Sequence, residues 1–155
     1  MRLLVAAIGQ KMPAWVDQGV MEYQKRFPRH LDFKIRALPL PSRQTGQTLE
    51  RLQHKETESL LKASAGCYRI ALDENGKQWT TRKLAGQLEG WQMQGEDIAF
   101  LIGGPDGLSS DCLQSCRQKW SLGLLTMPHP LVRVMLAEQL YRAWTITTNH
   151  PYHRE

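Results

Sequence analysis

The chain has 155 residues, of which 41% are hydrophobic and 23% charged, values that fit one globular domain and exclude global disorder. No apolar run approaches the roughly 20 residues of a membrane span, and the first residues lack a cleavable leader, so we expect a cytoplasmic protein. The net charge of +5 falls within residues 1–45, which carry eight Lys or Arg against three Asp or Glu. Such uneven charge favours a polyanionic partner.

Short apolar runs alternate with helical periodicities along the chain. The runs predict strands at residues 3–8, 33–38, 68–72, 98–102 and 122–127. The periodicities predict helices at 13–28, from 49 to near Gly66, from Thr80 or Thr81 to Gly95, from Ser109 or Ser110 to about Lys119, and at 131–147. This alternation predicts a single α/β domain over residues 1–155, with a parallel sheet covered by helices on both faces.

The three cysteines predict neither a disulfide framework nor a zinc site. Their number is odd, and Cys112-x3-Cys116 lacks a second pair of ligands. We therefore expect Cys67, Cys112 and Cys116 to be ordinary thiols, and we expect no bound metal.

A glycine loop, Gly103-Gly104-Pro105-Asp106-Gly107, follows the fourth predicted strand. Open α/β sheets bind ligands at the carboxyl ends of their strands, and glycines let backbone N–H groups approach a ligand closely. The loop matches neither the Walker pattern nor the dinucleotide G-x-G-x-x-G motif. A tight strand-to-helix turn would explain the same residues, so both interpretations stay open here.

The predicted fifth strand leads into Pro128-His129-Pro130. An apolar strand ending in a turn that two prolines stiffen would suit a rigid wall for an aromatic ligand such as an adenine ring. A core strand followed by a stiff turn is the alternative. We interpret His129 by itself as a turn histidine rather than a catalyst.

The last predicted helix and the tail concentrate groups that can contact nucleotides. Arg133 and Arg142 lie on the helix, and Tyr152-His153-Arg154 supply a stacking ring, a titratable imidazole and a phosphate-pairing cation. Chain ends often fray, but this tail lacks the Gly, Ser and Glu bias of solvated ends. We expect it to be ordered.

Taken together, these segments resemble the RlmH-type ribosomal RNA methyltransferases of the SPOUT class. The resemblance spans the chain and includes Lys11-Met12-Pro13 near its start. Its most specific motifs are Leu101-Ile102-Gly103-Gly104-Pro105-Asp106-Gly107-Leu108, Pro128-His129-Pro130-Leu131-Val132-Arg133, Tyr141-Arg142-Ala143-Trp144 and Asn149-His150-Pro151-Tyr152-His153-Arg154-Glu155.

The resemblance implies methylation of N3 of a pseudouridine in 23S rRNA on the ribosome, with S-adenosylmethionine as the methyl donor. It also implies a C-terminal trefoil knot over about residues 98–155 and a homodimer in which one subunit's tail completes its partner's active site. The cofactor pocket that it implies consists of Leu72, Gly103, Leu122, Gly123, Leu124, Leu125, Thr126 and Met127.

For catalysis, we expect Arg142, Tyr152, His153 and Arg154 to act on the acceptor nucleotide. The two arginines would hold the nucleotide or offset the negative charge of its deprotonated N3. His153 or a water molecule would take the proton from N3. Two alternatives stay open. One is a non-catalytic RNA-binding α/β module, and the other is a hydrolase that uses Cys112 or Cys116.

Overall fold

The computed structural model describes residues 1–43 and 46–154, so Glu155 of the tail motif lies outside the described residues. Within these ranges the chain forms five strands and five helices. The strands are β1 (Arg2–Ile8), β2 (Asp32–Leu38), β3 (Tyr68–Gln78), β4 (Ile98–Ile102) and β5 (Gln118–Ser121). The helices are α1 (Ala14–Gln24), α2 (Leu49–Ala63), α3 (Thr81–Gln94), α4 (Ser110–Gln114) and α5 (His129–Thr147).

The strands form one parallel sheet in the order β2-β1-β4-β3-β5. Alternate side chains of β1 enter two separate cores, because successive residues of a strand point to opposite faces. Leu3 and Val5 pack with α1, α3 and α5, whereas Ala6 and Ile8 pack with Leu60 of α2 and with α4. The predicted parallel sheet with helices on both faces is confirmed.

Local capping sets two of the predicted helix starts. The Thr80 side chain accepts a hydrogen bond from the N–H of Lys83 at 3.1 Å, and α3 ends at Gly95 in the left-handed region. The Ser109 hydroxyl accepts from the N–H of Cys112 at 3.1 Å and starts α4. Both helices begin where the sequence predicts.

The predicted strand at 122–127 is wrong, because β5 occupies Gln118–Ser121 and residues 122–128 form a loop. In β5, Trp120 pairs with Leu72 and stacks on Trp79, while Lys119 is exposed. The strand therefore buries Trp120 and Ser121 and leaves Lys119 exposed at the edge of the sheet. The apolar run lies beyond it, where Leu124 and Leu125 are 90% and 82% exposed.

Three boundaries also differ from the prediction. Helix α4 ends at Gln114 instead of near Lys119, since the following residues join β5, and α1 ends at Gln24 before reaching Pro28. Strand β3 continues past Leu72 to Gln78, with a shift in its pairing to β5.

The start of helix α5 lies near the end of β1, three strands away from β5 in the sheet. It begins after the loop that leaves β5 at one edge, yet the Arg133 guanidinium donates to the carbonyl oxygen of Gly9, just after β1, at 2.6 Å. The loop at 122–128 therefore crosses the carboxyl ends of β3 and β4, where ligands bind in open α/β sheets.

Candidate functional site

A cleft of ≈ 480 Å³ opens at the carboxyl ends of β3 and β4, within the roughly 300–1,000 Å³ of small-molecule sites. Three segments form most of its wall: residues 72–74 at the bend of β3, the glycine loop, and residues 120–127 except Leu124. His129 and Val132 of α5 complete it. The strand ends thus position a site that is partly backbone and partly apolar side chain.

The glycine loop is closed on itself. Gly104 and Gly107 form an isolated antiparallel bridge, and the N–H of Gly107 donates to the carbonyl of Gly104 at 3.0 Å. A Cβ added at Gly103 would lie 2.7 Å from the carbonyl carbon of Gly107, closer than any side chain tolerates. Glycine at 103 is therefore required by the turn itself.

Glu56 of α2 supports the glycine loop from the face of the sheet that α2 and α4 cover. Its Oε1 accepts a hydrogen bond from the N–H of Gly104 at 3.2 Å, while its Oε2 is buried without a partner among the described residues. The side chain is 3% exposed, and burial raises the pKa of the carboxyl above its usual range. Apolar periodicity did not single out Glu56, although this residue lies one helical turn from both Leu52 and Leu60 on the buried face of α2.

Seven of the eight residues predicted to bind the cofactor line this cleft. The exception is Leu124, which points into solvent. The loop is shaped by Ser121, whose hydroxyl donates to the carbonyl of Gly123 at 3.0 Å and accepts from its N–H at 3.2 Å. The seven are Leu72, Gly103, Leu122, Gly123, Leu125, Thr126 and Met127.

A second cluster joins α5 to the tail. Glu138 Oε1 accepts from Arg142 Nε at 2.8 Å and from the Tyr152 hydroxyl at 3.0 Å, and the Arg142 guanidinium lies 5.0 Å from the centre of the Tyr152 ring. Tyr152 also packs edge-on against Tyr141 at 4.8 Å. Burial, followed by hydrogen bonds to Tyr23 and Glu138, raises the pKa of Tyr152, which keeps the phenol neutral.

The structure thus brings together two of the four predicted catalytic residues, Arg142 and Tyr152. His153 is half-buried with its Nδ1 enclosed and unpartnered among the described residues, and Arg154 is exposed. The organising residue, Glu138, was missed in our sequence analysis, although its spacing of four from Arg142 is that of a helical ion pair.

The cleft and the tail cluster lie at opposite ends of α5. Arg142 follows His129 by thirteen positions, which corresponds to about 20 Å along a helix that rises 1.5 Å per residue. One chain therefore does not place its own Arg142 at its own cleft.

No His, Asp or Glu among the described residues is hydrogen-bonded to a cysteine thiol. Cys116 Sγ donates to the carbonyl of Cys112 at 3.3 Å, and contact between the two thiols raises the pKa of Cys112 and lowers that of Cys116. In residues 1–43 and 46–154 there is no group of three or more His, Cys, Asp or Glu that could hold a metal ion. No helix in the same ranges has the length and apolar character needed to span a bilayer.

Comparisons with known proteins agree with this architecture. Residues 1–153 match the family model described as "Predicted SPOUT methyltransferase". The chain is 51% identical over 156 residues, covering 100% of both chains, to the "Ribosomal RNA large subunit methyltransferase H" of Hahella chejuensis (strain KCTC 2396).

Two solved structures share the fold at low identity. The "Probable Methyltransferase" from Bordetella pertussis Tohama I has a TM-score of 0.61 at 14% identity, covering 91% of this chain and 93% of that chain. A "probable methylase family protein" from Haemophilus influenzae Rd KW20 has a TM-score of 0.56 at 11% identity, covering 96% and 67%. From the family match and the full-length relative, the chain belongs to the SPOUT methyltransferase family.

Proposed function

We propose that this protein transfers a methyl group from S-adenosylmethionine to N3 of a pseudouridine in 23S rRNA on the assembled ribosome. The observation that carries the proposal is the 51% identity, over the full length of both chains, to a relative named as a large-subunit rRNA methyltransferase. We also infer a cytoplasmic location, because that is where ribosomes act.

The cleft fits S-adenosylmethionine. Its volume of ≈ 480 Å³ accommodates a nucleoside joined to an amino acid, and the glycine loop, whose turn requires glycine at position 103, lines it. Leu72, Leu122, Leu125 and Met127 supply apolar surface for an adenine ring, while backbone groups at Gly103 and Gly123 can reach its polar edge. We expect Leu124 to act at the cleft only after the loop moves or a partner covers it.

Bound there, S-adenosylmethionine supplies a methyl group on a sulfonium for an in-line displacement, so positioning contributes much of the rate. The acceptor is an imide nitrogen, which must lose its proton before it is a good nucleophile. We propose that Arg142 and Arg154 hold the nucleotide and offset the negative charge that develops on the imide. Tyr152 orients Arg142, and His153 or a bound water takes the proton.

We further propose that the protein acts as a homodimer and that the tail of one subunit completes the cleft of the other. The separation of about 20 Å along α5 supports this arrangement, since a single chain keeps the two groups apart. Trp15 on α1 and Leu131 on α5 are exposed apolar side chains that a second subunit could cover.

A trefoil knot is part of the same proposal. The loop at 122–128 passes from β5 to the neighbourhood of Gly9, and it lines one cleft together with the closed glycine loop. If the segment that leads into α5 passes through this region, the chain is knotted. That would be an exception to the rule that chains avoid knots.

The direct test is to map methylated nucleotides of 23S rRNA by mass spectrometry in cells with and without the protein. We expect one methylated pseudouridine to be missing from the cells without it. Calorimetry with S-adenosylmethionine separates the enzyme from a non-catalytic RNA-binding module, which would bind RNA in a salt-dependent manner without cofactor affinity. An unchanged set of methylated nucleotides would contradict the proposal.

The subunit arrangement has its own test. A chain lacking residues 152–155 should bind the cofactor but fail to methylate ribosomes, whereas a Gly103→Val chain should neither bind the cofactor nor methylate ribosomes. Co-refolding the two in equal amounts should restore about a quarter of the activity, because half of the dimers are mixed and each holds one complete site. No recovery from mixed dimers that do form would show that the tail acts within its own subunit.

A further inference from the structure

A second groove, of ≈ 460 Å³, lies beside the cofactor cleft at the carboxyl ends of β1 and β2. Residues 8–12 and 39–40 form most of its wall, and its lining is largely apolar, with Lys11 at its margin. It shares three residues with the cofactor cleft: Gly104, Pro105 and His129. The two cavities therefore meet at the glycine loop and the imidazole of His129.

Arg133 determines which nitrogen of His129 carries the proton. This arginine is 3% exposed, donates from Nη2 to the carbonyl of Gly9 at 2.6 Å, and donates from Nε to His129 Nε2 at 3.3 Å. Because a guanidinium has only donors, Nε2 must accept, and the ring hydrogen lies on Nδ1. No carboxylate in the described part of the chain forms an ion pair with Arg133.

The His129 imidazole is a neutral donor. Burial, together with the charge of Arg133, lowers the pKa of His129 to about 4. Its Nδ1 makes no hydrogen bond with any described residue, and this atom is not fully buried. The Nδ1–H group is therefore available to a ligand where the two cavities meet.

Building on the proposed function, we propose that this groove receives the acceptor pyrimidine and that His129 Nδ1–H donates a hydrogen bond to a carbonyl oxygen beside N3. A pyrimidine-dione ring has flat faces that suit an apolar groove and a polar edge that needs a donor. Arg133 is the positioning residue, because it acts through the imidazole. His129 accordingly has a catalytic role that its sequence context did not indicate.

In the transfer, His129 acts only as a hydrogen-bond donor and takes up no proton. The N3 proton leaves to a separate base, the N3 electron pair forms the new bond to the methyl carbon, and the electrons of the broken carbon–sulfur bond return to sulfur. Once N3 is deprotonated, its negative charge spreads onto both neighbouring carbonyl oxygens. A preorganised donor at one of them stabilises the nucleophilic form without taking up a proton.

Two substitutions of His129 separate this role from a structural one. The amide nitrogen of Asn can occupy the position of Nδ1, whereas Gln reaches the position of Nε2 and keeps only the contact with Arg133. In single-turnover methylation of ribosomes at saturating S-adenosylmethionine, we expect His129→Asn to stay within about tenfold of the parent. His129→Gln should be slower by about 10²–10³-fold, as for the loss of one preorganised donor.

Calorimetry with S-adenosylmethionine and a thermal melt check that both variants are folded and bind cofactor. Equal rates for the two variants, or a slower Asn variant, would overturn the role of Nδ1. A parent protein that methylates no ribosomes would instead refute the proposed function itself.

A third variant tests the groove. Leu40 lines the groove but not the cofactor cleft, and it is exposed to nearly the same extent as Leu49, which lines neither. Leu40→Trp should reduce methylation at least tenfold with unchanged cofactor affinity, whereas Leu49→Trp should leave both unchanged. Full activity of Leu40→Trp would show that the acceptor binds elsewhere.

Discussion

At its first turn α5 borders a cavity built largely from backbone and apolar side chains, whereas near its last turns it carries a cluster of charged and aromatic side chains. The cavity at the first end requires that residue 103 has no side chain. The second depends on a charge, that of Glu138, which holds Arg142 and Tyr152. Added volume should therefore damage the first end, and removed charge the second.

The largest effect is expected from one methyl group in the glycine loop. In Gly103→Ala the new Cβ would lie 2.7 Å from the backbone of Gly107, so the loop must open. We expect calorimetry to show at least a tenfold loss of S-adenosylmethionine affinity, and denaturation to show a loss of about 1–3 kcal/mol of stability.

The matched control is Gly86→Ala, on α3, where nothing lies within 4 Å of the new Cβ. It should leave binding unchanged and add about 0.5–1 kcal/mol of stability, because Ala favours a helix more than Gly. If the two variants behaved alike, the cleft would not depend on the closed loop.

At the other end of α5, the predicted effect comes from removing one charge at constant size. Glu138→Gln weakens the hydrogen bonds that hold Arg142 and Tyr152, and bonds to a charged group contribute about 1.5–3 kcal/mol. We expect methylation of ribosomes to fall about tenfold to a hundredfold with cofactor affinity unchanged. The exposed Glu89 of α3 provides the control, as Glu89→Gln should be silent.

The buried carboxyl beneath the glycine loop gives a pH-dependent prediction. Since the folded-state pKa of Glu56 is raised, the folded protein holds this proton more tightly, and stability falls as pH rises through the interval between the unfolded and folded values. Glu56→Gln keeps an oxygen for the N–H of Gly104 and carries no charge. In urea denaturation, the free energy of unfolding of the variant should exceed that of the parent by on the order of 1 kcal/mol at pH 8 and should differ little near pH 4. A constant difference at all pH values would contradict this.

The smallest effect concerns the basic N-terminal segment, which reaches the tail end of α5. Lys25 and Arg26 pair with Glu22, and the Arg26 guanidinium lies 5.9 Å from the centre of the Tyr141 ring. Replacing Lys25, Arg26 and Arg29 by Gln should weaken ribosome binding a few-fold. The slope of log affinity against log salt concentration should become shallower by about one for each phosphate contact that is lost. Unchanged binding would make this segment a solvated surface only.

Sequence alone predicts those features that local rules determine. The buried strands at 3–8 and 98–102 and the caps at Thr80 and Ser109 follow from apolar runs and from side chains three residues before an N–H group. The sequence did not indicate β5, because this four-residue strand has only one apolar side chain and the apolar loop beyond it gives the stronger signal. Hydrophobicity indicates burial somewhere, and it does not say whether a strand, a ligand or another subunit provides the cover.

Tertiary contacts explain what the sequence could not reveal at the site. Glu56 meets Gly104 across 48 positions, and Arg133 meets Gly9 across 124, so no local pattern connects either pair. The resemblance to the family predicts which residues belong to the cleft and to the tail, but not their positions at opposite ends of one helix. The neutral state of His129 also depends on a buried arginine that only the fold places beside it.

Helix α5 fixes the separation between the residues that border the cleft and those of the tail cluster. If two chains pair symmetrically, the number of residues between His129 and Arg142 sets the distance and the angle between one chain's cleft and the other's tail. Inserting a single residue between Arg133 and Glu138 would advance everything downstream by 1.5 Å and rotate it by about 100°. A change in the residue count of the helix should therefore uncouple cofactor binding from transfer.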